Sequence, residues 1–153
     1  MKLSLLFVFL LCPGLSEMQG YLARLSKLMK CTTGKHFAQF IIYGCHCGAG
    51  GYGQTVDAVD RCCFEHDCCY DWLKLKNCNP KSTNVEVYCS NGNPSCENAV
   101  GYSSYALCIN RICRCEVNFA KCLKTAEFNA LNGWRLNLFG CKRNRTPSCP
   151  SSF

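Results

Sequence analysis

The sequence has little acidic charge and no apolar run long enough to cross a membrane. Ten aspartates and glutamates stand against seventeen lysines and arginines, which gives a formal net charge of +7. A bilayer core of about 30 Å requires roughly 20 consecutive apolar residues in a helix. We therefore expect no transmembrane segment. The positive charge favours anionic partners such as phospholipid surfaces, sulfated polysaccharide or nucleic acid.

Two common metal-binding patterns are also absent. No pair of CxxC motifs is present, and nothing matches the alternating acidic residues of an EF-hand loop. The segment CCFEHDCCY does place His66 and Asp67 between two pairs of adjacent cysteines. Adjacent cysteines on a helix are poorly arranged to chelate zinc. Disulfide bonds that hold the helix around His66 and Asp67 are therefore the favoured interpretation.

Residues 1–20 have the layout of a secretory signal peptide. Lys2 precedes an apolar run from Leu3 to Leu11, and small residues follow. We predict cleavage after Gly20 and a single domain over residues 21–153. The alternative is an N-terminal helix buried in the fold.

Cysteine number agrees with a secreted, extracellular protein. Cys12 lies in the predicted leader, which leaves sixteen of the seventeen cysteines in the domain. Secreted proteins mature in an oxidising compartment, so this even number predicts a framework of eight disulfides.

The domain begins with a short basic amphipathic helix. Apolar side chains share one face of this helix: Leu22, Leu25, Leu28 and Met29. Basic side chains lie mostly away from that face: Arg24, Lys27 and Lys30. Such a helix could pack on the core or contact a membrane surface, and the sequence leaves both open.

Two longer helices and a hairpin follow. The first long helix begins after Asp57 as N-cap and ends in lysines near residue 76. The second covers approximately residues 102–128. Between them, Val85 and Val87 alternate with polar residues before Asn91-Gly92, which is a strong signal for a β-hairpin turn.

The segment YGCHCGAGGYG, residues 43–53, contains five glycines and precedes the first long helix. Glycine allows backbone conformations in which carbonyl oxygens turn toward a bound ion. Ca²⁺ is bound by such carbonyls together with a carboxylate, and Asp67 could supply the carboxylate. A cation beside His66 would place Lewis acid and general base together. The pattern indicates a hydrolase without a nucleophilic serine.

The motifs YGCHCGAGG and DRCCFEHDCCY resemble those of secreted phospholipases A2, and the match in cysteine spacing extends from Cys31 to Cys149. The resemblance implies a mainly α, disulfide-rich fold with an N-terminal amphipathic helix, a Ca²⁺ loop, two long antiparallel disulfide-linked helices and a small β-hairpin. It also implies eight pairings: Cys31–Cys89, Cys45–Cys141, Cys47–Cys63, Cys62–Cys122, Cys68–Cys149, Cys69–Cys115, Cys78–Cys108 and Cys96–Cys113. The first matches an extra bond of pancreatic-type enzymes, and the fifth a C-terminal bond of the synovial and viper type.

The resemblance further implies a secreted, calcium-dependent hydrolase of the sn-2 acyl ester of glycerophospholipids. Its Ca²⁺ ligands correspond to the carbonyls of His46, Gly48 and Gly50 and to the carboxylate of Asp67. His66 corresponds to the general base on water. The Gly48 N–H corresponds to an oxyanion donor, and Tyr70 and Glu116 to the network that supports His66. We expect a monomer that contacts an anionic phospholipid surface and binds no nucleic acid.

Two positions depart from the family pattern. Glu116 stands where the family has an aspartate, and Val85 where it has a second supporting tyrosine. Glu116 keeps the carboxylate on a longer arm, whereas Val85 cannot donate a hydrogen bond. We expect an active but slower enzyme. The alternatives are a weakly active or inactive protein of the same scaffold that binds calcium or a receptor, and a toxin-like protein that perturbs membranes.

Overall fold

The computed structural model describes residues 13–133 and 140–151. These ranges contain three α-helices and two strands: α1 (Pro13–Thr33), α2 (Ala58–Leu75), β1 (Val87–Ser90), β2 (Asn93–Cys96) and α3 (Ser104–Thr125). Three short 3₁₀ turns complete the regular structure: Phe37–Gln39, Ala130–Asn132 and Arg143–Arg145. None of the helices in the described ranges combines the length and apolar content needed to cross a bilayer. The predicted fold class is confirmed.

The predicted leader falls largely outside these ranges. Residues 1–12, including Cys12, are not among the described residues. Helix α1 begins at Pro13 and continues through Gly20, where cleavage is predicted. The division into residues 1–20 and 21–153 stays a prediction.

Local sequence accounts for the start of α2 and for the hairpin. The Asp57 side chain accepts a hydrogen bond from the Asp60 N–H at 2.9 Å, which confirms the predicted N-cap. In the hairpin, Ser90 pairs with Asn93 across the turn. Asn91 and Gly92 both have positive φ angles, of 52° and 71°, as a tight two-residue hairpin turn requires.

Eight disulfides connect these elements, and all eight pairings implied by the family resemblance are present. Cys62–Cys122 and Cys69–Cys115 both join α2 to α3. The earlier cysteine of α2 pairs with the later one of α3, so the two helices run antiparallel. All four cysteines that flank His66 and Asp67 are in disulfides and are therefore not zinc ligands.

Helix α1 packs on this pair of helices. Leu25 and Met29 join the core cluster that includes Phe119 and Leu123 of α3. Burial of each such side chain contributes roughly 1.5–3 kcal/mol. The basic residues do not all lie away from the core, however. The prediction is wrong for Arg24, which is only 6% exposed.

Candidate active site

The glycine loop of residues 43–53 is anchored by disulfides and by a buried carboxylate. Cys45–Cys141 and Cys47–Cys63 tie it to the C-terminal segment and to α2. Asp60, fully buried in the first turn of α2, accepts hydrogen bonds from the backbone N–H groups of Cys45, His46 and Val56 at 2.8–3.0 Å. The helix N-terminus also favours this negative charge. Sequence reasoning missed Asp60, although an aspartate in a first helical turn is a recognisable signal.

A side chain would clash most severely at two glycines of this loop. A Cβ atom at Gly44 would lie 2.3 Å from the Asp60 carboxylate, and one at Gly48 would lie 2.0 Å from the carbonyl oxygen of Ile41. Both residues have positive φ angles, of 61° and 108°. The loop conformation therefore depends on glycine at these positions.

A cavity of about 380 Å³ opens between α1, the glycine loop and α2. Four of the predicted site residues line it together: His46, Gly48, His66 and Asp67. Gly50 lies in the same loop but outside this lining. Most of the remaining wall is apolar or aromatic: Met18, Tyr21, Leu22, Leu25, Met29, Phe37, Phe40, Ile41, Ala49 and Phe119. Exposed Lys81 adds a cation to the lining.

The His66 ring is held between two aromatic rings and a carboxylate. Its centroid lies 4.2 Å from those of Tyr70 and Phe119, and the Phe119 ring is stacked on it. Its Nε2 atom faces Oε2 of Glu116 at 3.4 Å. Neither of these buried atoms makes a hydrogen bond within the described structure. Because Nε2 is turned toward Glu116, Nδ1 is the ring nitrogen left for a molecule in the cavity.

Glu116 is fully buried behind His66. Its Oε1 atom accepts hydrogen bonds from the Tyr70 hydroxyl and from Arg24 Nε, the latter at 3.2 Å. Burial by itself would raise the pKa of this carboxyl. His66, Arg24 and the Tyr70 hydroxyl outweigh that effect, so the pKa of Glu116 lies below its ordinary value. Glu116 is therefore a buried anion that accepts from Arg24 through Oε1 and faces His66 with Oε2.

Arg24 connects α1 to this carboxylate. Besides Glu116, its guanidinium donates to the carbonyls of Pro80 at 2.7 Å and Thr83 at 3.2 Å, and to the Tyr70 hydroxyl at 3.3 Å. Burial would lower the pKa of Arg24, but Glu116 and Tyr70 raise it overall, so the group stays charged. Sequence reasoning missed this role. The available signal was that Arg24 lies one helical turn before Leu28, a member of the predicted apolar face.

The Asp67 carboxylate has a different environment. Burial raises its pKa to about 6, although nearby positive groups partly oppose the shift. No hydrogen bond or ion pair joins this carboxylate to another side chain in residues 13–133 and 140–151. The same residues contain no cluster of three histidine, cysteine, aspartate or glutamate side chains that could hold a metal. Any cation held here would take its other ligands from loop carbonyls, which suits a hard ion such as Ca²⁺.

Comparisons with known proteins agree with this architecture. Residues 22–132 match the family model described as Phospholipase A2. The chain is 35% identical over 150 residues to "Phospholipase A2, membrane associated" of Cavia porcellus, covering 97% of this chain and 100% of the relative. It is 36% identical over 154 residues to "Group IID secretory phospholipase A2" of Homo sapiens, with the same coverage. It is 38% identical over 118 residues to "Phospholipase A2 homolog" of Echis ocellatus, covering 76% of this chain and 80% of that relative.

Proposed function

Because this chain belongs to the secretory phospholipase A2 family, we propose that it is a calcium-dependent hydrolase that cleaves the sn-2 acyl ester of glycerophospholipids at membrane surfaces. The observation that carries the proposal is one cavity wall that brings together His66, backed by Glu116, with Asp67 and Gly48. The protein is extracellular, in agreement with its secretory relatives and its eight disulfides.

The proposed Ca²⁺ ligands are the carbonyls of His46, Gly48 and Gly50 and the carboxylate of Asp67. Two observations support a cation here: the desolvated Asp67 carboxylate lacks a side-chain partner in the described structure, and the Asp60 contacts anchor the loop backbone. When bound, Ca²⁺ would supply positive charge that polarises the ester carbonyl and stabilises the oxyanion.

His66 is proposed as the general base. Its Nδ1 atom would take a proton from water as the water oxygen attacks the ester carbonyl, and the leaving alcohol oxygen would later receive that proton. Glu116 would stabilise the imidazolium through Nε2, since the two groups already face each other. The Gly48 N–H would donate to the oxyanion. Tyr70 would restrain both the His66 ring and the Glu116 carboxylate.

The shape and chemistry of the cavity suit a phospholipid. Its apolar and aromatic walls are appropriate for acyl chains, and Lys81 is appropriate for a phosphate. The net charge of +7 favours an anionic membrane surface as partner. The proposal requires only a monomer and involves no nucleic acid.

The direct test is hydrolysis of anionic vesicles whose phospholipid carries a label on the sn-2 acyl chain. We expect release of labelled fatty acid with calcium and none in excess chelator. Phospholipid labelled at sn-1 is the control and should release no label. Release that is unaffected by the chelator, or release from sn-1, would contradict the proposal.

A second candidate is a calcium- or receptor-binding protein with weak or no catalysis. It is favoured by the His66 and Glu116 atoms that face each other without a hydrogen bond, and by the absence of a donor at Val85. Calcium binding measured by calorimetry, together with no fatty acid release from the same vesicles, would support this candidate.

Glu116→Gln is expected to lower turnover about tenfold or more, since a neutral amide cannot stabilise an imidazolium. Calcium affinity should stay unchanged because none of the proposed ligands contacts this side chain. Glu116→Asp is the matched control: it keeps the charge and should retain more activity than the amide variant. Equal turnover in wild type and Glu116→Gln would show that the carboxylate does not serve His66.

Leu22 and Ile41 line the cavity while remaining 37% and 46% exposed, so they are suited to enter a membrane. Because each side chain is already partly buried, burying the remaining exposed surface of both in lipid would together contribute roughly 1–2.5 kcal/mol. We expect Leu22→Asn with Ile41→Asn to weaken vesicle binding by about tenfold, since 1.4 kcal/mol corresponds to one decade. Hydrolysis of a monomeric short-chain phospholipid should fall less. Val100→Asn changes a fully exposed apolar residue outside the cavity lining and should leave both readouts unaffected.

A further inference from the structure

Arg24 is a buried cation whose contacts converge on the proposed catalytic network. Its guanidinium donates to four groups on three separate parts of the chain: Tyr70 on α2, Glu116 on α3, and the carbonyls of Pro80 and Thr83 between them. Its side chain is 5% exposed, and that of Glu116 is fully buried. Burial of two charged groups is costly unless they pair with good geometry, so this arrangement calls for an explanation.

The two oxygens of Glu116 have separate partners. Oε1 accepts from Arg24 and from Tyr70, whereas Oε2 faces His66 Nε2 at 3.4 Å and accepts no hydrogen bond among the described residues. A longer glutamate arm has one more rotatable bond than aspartate and needs restraint to present a chosen oxygen. Arg24 provides that restraint through Oε1, the oxygen that does not face His66.

We propose that Arg24 is a positioning residue that fixes the Glu116 carboxylate so that Oε2 faces His66. The inference rests on the proposed function. Arg24 also bonds the carbonyl of Thr83, two residues before Val85, whose side chain cannot donate. The planar guanidinium can satisfy several acceptors in fixed directions, which an ammonium on a flexible stem cannot do.

The test compares wild type with Arg24→Lys, which keeps the charge, and Arg24→Met, which removes it. Misplacement of a catalytic group by about 1 Å can cost 10²-fold in rate. We expect kcat on a monomeric short-chain phospholipid to fall by about that factor in Arg24→Met and by less in Arg24→Lys, with KM and calcium affinity little changed. Lys30→Met is the matched control because Lys30 is exposed on the same helix, and it should keep wild-type kcat.

Arg24→Met leaves Glu116 buried without its cation and could fail to fold. Arg24→Lys is therefore the variant whose kcat decides whether Arg24 positions Glu116. In the Glu116→Gln background, Arg24→Lys should cause little further loss of kcat, because the carboxylate it positions is already gone. Losses that multiply independently would overturn the proposal, as would an unchanged kcat in folded Arg24→Lys.

An NMR measurement separates this inference from the proposed function. At one fixed pH and without substrate, the chemical shifts of the His66 ring should change in Arg24→Lys and stay the same in Lys30→Met. Unmoved His66 resonances in Arg24→Lys would overturn the positioning role whether or not the protein hydrolyses phospholipid. Wild-type protein without hydrolytic activity would count against the proposed function alone.

Discussion

Asp67→Asn is expected to abolish calcium binding and fatty acid release together. Asp67 is the only charged group in the proposed ligand set, and its desolvated carboxylate has no side-chain partner within the described ranges that could compensate it. An asparagine keeps the size of the side chain but removes the charge that attracts a divalent cation. Calorimetric titration with Ca²⁺ and the vesicle assay would measure the two losses on the same preparation.

Asp71→Asn is the matched control for Asp67→Asn. Asp71 lies one turn further along α2, is exposed and is paired with Lys74 at 2.8 Å. Its replacement removes the same charge from the same helix without removing a proposed ligand, so calcium binding and turnover should persist. If Asp67→Asn still hydrolysed phospholipid at the calcium concentration used for the wild-type protein, Asp67 would be excluded as a ligand needed for the reaction.

His66→Gln is expected to remove nearly all turnover while leaving calcium affinity within a few-fold of wild type. A positioned general base typically contributes about 10²–10⁴-fold to the rate. Glutamine cannot accept the proton from water, yet the loop carbonyls and Asp67 are untouched. Fatty acid release and calcium titration should therefore respond differently, whereas in Asp67→Asn they should be lost together.

His36→Gln controls for the loss of a histidine. His36 is exposed and only caps a short 3₁₀ turn, where its Nδ1 accepts from the Ala38 N–H. Turnover in this variant should match wild type. Substantial activity in His66→Gln, measured beside this control, would assign the base to a different group.

Several features of this protein followed from local sequence alone. Asp57 caps α2, and Asn91-Gly92 forms the hairpin turn, because both depend on the backbone within a few residues. His66 and Asp67 could be placed on a helix between cysteines for the same reason. The even number of cysteines after the predicted leader indicated a disulfide framework, but not which cysteines pair. The pairings came from the family resemblance.

Only the tertiary structure decided how the proposed base is supported. The sequence predicts Arg24 to be a surface residue of a basic amphipathic helix. In the structure it bonds Glu116, which lies 92 residues away in the sequence. From the sequence, Asp60 is only an acidic residue in the first turn of α2. In the structure its carboxylate holds the glycine loop by accepting hydrogen bonds from backbone N–H groups. Whether a charged side chain is solvated or buried depends on which partners the folded chain brings to it, because burial is tolerable only where charge and hydrogen bonds are compensated. Local periodicity contains no information about those distant partners.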